Sequence, residues 1–275
     1  MMIIASNEEL CHFVPNVALT VAGETTLYEK IAPWLEMVEI NLIDKIIGSV
    51  SLDDNAHRKI LLLAQFVEAN TALAMAAPSL DLVLTPNGFG VINTNNVAPA
   101  SKERVERLIA KCNETARRSI DSLVSALADV PEWLASTQGK FFYSTTLTYP
   151  YQTAKACNID IAETMSAFSR LVAKASVIES EYAEKWISDA VMSRLRAALI
   201  DNSANYATEK NLGLMVRSLV IRELNGEPRD FNALRYLVNQ IRTSSIFPEW
   251  AESDTAKAYA VKPYKNDKRK GGYWL

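Results

Sequence analysis

Over most of the chain, apolar residues recur every three or four positions between short polar breaks, the mark of amphipathic helices. Ser6-Asn7-Glu8-Glu9 has the Ser-x-x-Glu form of a capping box and predicts a short helix toward His12, stopped by Pro15. Over residues 26–47, Ile31, Trp34 or Leu35, Val38, Leu42 and Ile46 share one face, with Pro33 in the first turns and Gly48 at the end. Cap candidates between Ser51 and Asn55 open a second helix over 54–77. Its apolar run is interrupted by Gln65, Glu68, Asn70 and Thr71, which predicts a buried helix and not a membrane span.

The pattern then changes. Asp81-Leu82-Val83-Leu84-Thr85 and Gly90-Val91-Ile92 flank Pro86-Asn87-Gly88-Phe89 and predict two short strands around a tight turn. Asn87 and Gly88 supply the positive φ of a primed turn and set Phe89 at its tip. After a polar loop, Ser101 caps a helix whose Val105, Leu108, Ile109, Cys112, Ala116, Ile120, Leu123 and Leu127 form one stripe. Pro131-Glu132-Trp133 opens a short element, and the Thr and aromatic residues of 141–149 predict a strand. Helices follow over 160–199, with a break near Ser176, and over 208–224 and 229–246, before a basic, aromatic tail at 262–275.

The chain also matches itself. Ile31, Val38-Glu39 and Ile46-Ile47-Gly48 correspond, 140 positions later, to Leu171, Ile178-Glu179 and Trp186-Ile187-Ser188. Pro131-Glu132-Trp133 returns 117 positions later as Pro248-Glu249-Trp250. The two offsets differ by 23, the length of the segment 78–100 that carries the strand-turn-strand. The expected plan is a duplicated unit of helical hairpin, third helix, Pro-Glu-Trp corner and extended tail, the tails being 140–149 and 256–264.

Composition narrows the chemistry. With 49% apolar and 22% charged residues the chain is no disordered protein, and a net charge of -3 excludes a generally basic, nucleic-acid-coating one. Cys11, Cys112 and Cys157 are widely spaced and predict reduced thiols in a cytoplasmic protein, and the first residues lack the regions of a signal peptide. His12 and His57 are the only histidines, and no Gly-x-Ser-x-Gly, P-loop, Gly-x-Gly-x-x-Gly or His-Glu-x-x-His motif occurs. Asp53-Asp54-Asn55 before His57 reads as helix capping rather than a metal site. Glu36, Glu39, Glu179, Glu181 and Glu184 alternate with lysines and read as solvated faces rather than acid–base pairs. No catalytic residue, cofactor or metal is assigned.

Two segments suit partner binding: the turn, through Asn87, Gly88 and Phe89, and the tail, through Tyr264, Lys268, Arg269, Tyr273 and Trp274. The tail carries Lys262, Lys265, Lys268, Arg269 and Lys270 against Asp267 alone, and without it the chain stands near -7. A basic stretch interleaved with aromatics offers nucleic acid a local foothold, the lesser alternative to a protein contact.

The stretch from Leu80 to Val91, the run Asn96-Val97-Ala98-Pro99-Ala100-Ser101-Lys102-Glu103-Arg104, the Gln138-Gly139-Lys140-Phe141 stretch and the helix ending Glu184-Lys185-Trp186-Ile187-Ser188 resemble a family of uncharacterised proteins. That family is encoded in prophage-like regions of gut Bacteroidales genomes. The resemblance implies a phage setting, a virion or head-to-tail assembly component, and brings no catalytic residues with it.

The expected fold is therefore mainly α, with two related helical halves (1–150 and 151–275), an inserted β-hairpin at 78–100 and a few short strands. The expected function is a non-enzymatic structural or assembly protein, a homo-oligomer or a partner of phage structural proteins. It is placed in the host cytoplasm or the virion, with no membrane involved.

Overall fold

The computed structural model describes residues 3–14, 25–52, 57–80, 82–85, 88–91, 101–147, 164–200 and 206–259, with backbone alone at 82–85, 88–91 and 164–166. The chain divides into two compact units, Met1–Ala173 and Lys174–Leu275.

In the first unit, Ser6 caps α1 (Asn7–Phe13), its Oγ accepting the Glu9 N–H at 3.2 Å. Helix α2 (Leu27–Leu42) opens on a capping box: the Glu29 N–H donates to Thr26 Oγ1 at 3.1 Å, and the Thr26 N–H donates to Glu29 Oε2 at 2.7 Å. Ile31, Leu35, Val38 and Leu42 form its buried stripe, and Pro33 is accommodated in the second turn. The helix then widens into one π turn, Ile43–Ile47, and stops at Gly48, whose φ of +67° suits glycine. Helix α3 (Arg58–Ala76) packs against α1, α2 and α4 (Lys102–Leu127), with Ile60, Val67 and Leu73 buried on α3 and Cys112, Leu123 and Leu127 buried on α4. Two short helices, α5 (Pro131–Ala135) and α6 (Thr137–Phe142), close the unit.

Helix α7 (Thr164–Tyr182) starts in the first unit and ends in the second. It too widens into a π turn, Ala183–Ile187, and stops at a positive φ, here +85° at Ser188. Then come α8 (Asp189–Ile200), α9 (Ala207–Leu224), α10 (Phe231–Thr243), α11 (Pro248–Glu252) and α12 (Asp254–Tyr259). Their core includes Tyr182, Ile187, Val191, Leu195, Val216, Val220, Leu234, Leu237 and Ile241.

Most of the described residues are helical, which corrects the expected class. Mainly α stands; an inserted β-hairpin and a few short strands as parts of the fold do not. Between α3 and α4 in the chain, the backbones of β1 (Leu82–Thr85) and β2 (Gly88–Val91) pair with each other alone in an antiparallel ladder. The strand expected over 141–149 and the extended tail expected from 256 are also corrected, because α6 and α12 occupy their starts. Tertiary packing overrides local propensity here. Ser136 caps α6 by accepting the Gly139 N–H at 3.1 Å, while Phe142 stacks on Phe168 at 5.7 Å between ring centroids and Phe141 meets the same ring edge-on at 5.8 Å. The break expected near Ser176 lies at Ser188 instead, at the end of the π turn.

Candidate functional site

Of the partner-binding residues read from the sequence, Asn87, Tyr264, Lys268, Arg269, Tyr273 and Trp274 lie outside the described residues. Gly88 and Phe89 belong to β2, where Phe89 faces Leu84 and Gly88 faces Thr85 across the ladder. His57 directs Nδ1 to the Ser51 carbonyl at 2.8 Å.

The densest polar arrangement in the first unit is one the sequence presented only as interruptions. Gln65, Glu68 and Asn70 on α3 are 8%, 1% and 2% exposed, and two of them hold the segment 3–14 by its carbonyls. Gln65 Nε2 donates to Ile3 O at 2.8 Å, and Asn70 Nδ2 donates to Phe13 O at 3.2 Å. From the start of α2, the Tyr28 hydroxyl reaches Ile4 O at 3.5 Å and its N–H donates to Asn7 Oδ1 at 3.2 Å. Glu68 sits between the two tethers in sequence, with neither carboxylate oxygen hydrogen-bonded among the described residues. Burial first, then the negative charges of Glu39 and Glu9, push its pKa up to about 8, while the Ile4 amide works the other way. Burial also raises Glu39 and Tyr28. Periodicity marks such residues as buried but cannot name their partners, which lie more than fifty positions away in sequence.

The second arrangement is a clasp at the end of each π turn. In the first unit the Trp133 indole N–H donates to Ile46 O at 2.7 Å and Gln138 Nε2 donates to Asp44 O at 2.9 Å. An open pocket of about 610 Å³ lies there, lined by Asp44, Gly48, Ser49, Ser136 and Gln138 among others. In the second unit Thr255 Oγ1 donates to the carbonyls of Ala183 and Glu184, both at 3.2 Å. Ser136 and Ser253 cap α6 and α12 alike, each donating its hydroxyl at 2.6 Å to the carbonyl of the preceding tryptophan, Trp133 or Trp250. The Trp250 and Trp186 indole N–H groups are buried without a partner among the described residues.

Several carboxylates of the second unit are bound into ion pairs. Glu179 was read as part of a solvated face; it is fully buried and pairs with Arg196 at 2.9 Å, so that reading is corrected. Arg194 joins Glu209 at 3.0 Å to Glu249 at 3.3 Å beside an open pocket of about 590 Å³, with its guanidinium over the Phe247 ring. Arg229 binds Glu181 and Glu223, both at 2.8 Å, and Tyr182 donates to Glu223 at 2.5 Å. Hydrogen bonds from Arg229 and Lys185 hold Glu181 down at about 2, and the same carboxylates raise Arg229. These groups suit cross-linking of helices; among the described residues, no three His, Cys, Asp or Glu side chains are placed to hold a metal ion.

Comparison with known proteins adds one likeness. Residues 19–143 match the model of a family of unknown function, DUF6712. No curated protein and no solved structure matches the chain.

Proposed function

We propose that this is a non-enzymatic structural or assembly protein of a phage or prophage, a virion or head-to-tail connector-like component that acts through protein–protein contacts. The observation that carries the reading is the placing of large apolar side chains in water. In the second unit Phe231, Tyr236 and Tyr259 are 51%, 56% and 41% exposed, and Phe231 and Tyr259 flank Trp186 at 6.0 and 5.9 Å between ring centroids. Exposed aromatics of this kind anchor protein interfaces. The phage setting comes from the sequence resemblance.

Two related units suit such a role. The reading of the chain as a duplication is supported by the matching π turns at Ile43–Ile47 and Ala183–Ile187, and by the matching serine caps after the two Pro-Glu-Trp corners. The test is solution mass by light scattering across protein concentration and salt. A stable oligomer that dissociates on Phe89→Ala, Phe231→Ala or deletion after Val261 supports the reading; self-association unchanged by all three removes these contacts from it. The cations of the tail favour one alternative, a module that touches nucleic acid. A salt-dependent DNA gel shift that disappears with the tail would establish that instead.

A further inference from the structure

The segment 3–14 lies across the first unit as a separate strap. Ile3, Ile4 and Leu10 are 2%, 0% and 0% exposed, and the Phe13 ring meets Phe66 edge-on at 4.9 Å. The strap is tied to α3 by Gln65 at one end and Asn70 at the other. Between these ties α3 places Glu68, 1% exposed, with no side chain among the described residues hydrogen-bonded to either oxygen and only the Ile4 amide of the strap acting on it as a donor. A buried carboxyl with no partner is tolerable when neutral and very costly as an ion.

We propose that Glu68 is a proton-controlled latch: neutral, it lets the strap 3–14 stay seated on α3, and ionised, it drives the strap off. The groups that act on Glu68 from the packed elements set the direction. Glu9 on α1 and Glu39 on α2 are both acidic and oppose its ionisation. Tyr28, at the start of α2, feels the same acidic groups. From α4 no described charged group acts on Glu68, and the Ile4 amide on the strap is the one group favouring the ion.

The sign follows from proton linkage. Seated, Glu68 holds its proton up to a pH of about 8; released, it titrates as an ordinary carboxyl, near 4.5. Between those values the seated state binds one more proton, so opening becomes about tenfold more frequent per pH unit, and the rise stops above the upper value.

Hydrogen–deuterium exchange of the full chain from pH 5 to 9, normalised for intrinsic exchange, tests this. Protection of amides in 3–14 is expected to fall about tenfold per pH unit and level near pH 8, while α3 and α4 stay protected. In Glu68→Gln, the neutral isostere, protection of the strap should be flat with pH. In Glu39→Gln, which keeps Glu68 itself, the levelling should move to lower pH. Flat protection in the wild type, an equally steep fall in Glu68→Gln, an unmoved levelling point in Glu39→Gln, or loss of α3 and α4 in step with the strap would each overturn the latch.

Discussion

Trp133 and Trp250 occupy like places after the two π turns, yet only one satisfies its indole N–H. Trp133 donates to Ile46 O, whereas Trp250 Nε1 is buried without an acceptor among the described residues. Replacing Trp133 by Phe strands a carbonyl and should cost about 2 kcal/mol in urea unfolding. The same change at Trp250 removes an unpaired donor and should cost less than half as much. A second contrast concerns the two helix stops. Gly48 adopts φ +67° freely, while Ser188 holds φ +85° and ψ 149°, a region that side chains resist. Ser188→Gly should therefore stabilise the protein by about 1 kcal/mol, less whatever its 3.4 Å contact to the Val191 N–H contributes; thermal unfolding measures the balance.

Between elements, close approach and buried charge decide the cost. Helices α5 and α6 meet at Gly139, where an added Cβ would lie 2.2 Å from Trp133 O and 2.7 Å from Leu134 Cα. Both are backbone atoms, so neither can swing aside, and Gly139→Ala should destabilise by about 3 kcal/mol. The position 117 residues later, Ala256, is tolerated in the second unit, so the two corners pack to different depths. Glu179 on α7 and Arg196 on α8 form the most deeply buried carboxylate pair of the second unit. Arg196→Met leaves the carboxylate buried without that cation and should cost about 3 kcal/mol, read from denaturant midpoints at unchanged slope.

For the whole molecule, the two shifted carboxyls predict opposite responses of the two units to acid. Glu181, hydrogen-bonded by Arg229 and Lys185, is held at about 2, so it stabilises the second unit above pH 4.5 and loses that effect as pH falls toward 2. Its side chain is 35% exposed, and solvent screening keeps the effect small. Glu68 works the other way, with its stabilising effect present below 4.5 and lost as pH rises to about 8. Thermal unfolding from pH 3 to 9 should show the first unit weakening toward alkali and the second toward acid. Glu68→Gln should flatten only the alkaline side.

Much of this fold was legible in the residues. The stripe of α2 is periodic enough to place helix and buried face together, while in α4 Cys112, Ala116, Leu123 and Leu127 of the expected stripe are buried and Leu108 is exposed. The cap at Ser6 and the stop at Gly48 mark real ends, and α4 starts after Ser101 without a side-chain cap. Such signals are local, each depending on residues within one or two turns. What tertiary structure alone decided depends on residues far apart: that 137–142 coils because Phe141 and Phe142 find Phe168, and that Glu179 is buried because Arg196 meets it. The same holds for Gln65, Glu68 and Asn70. Their pattern announces burial, but what they are buried against is a strap whose carbonyls accept from two of them and leave the third, among the described residues, with no side-chain partner. A polar side chain's role inside a helix is set by the groups that reach it, and those lie beyond the range of any local pattern.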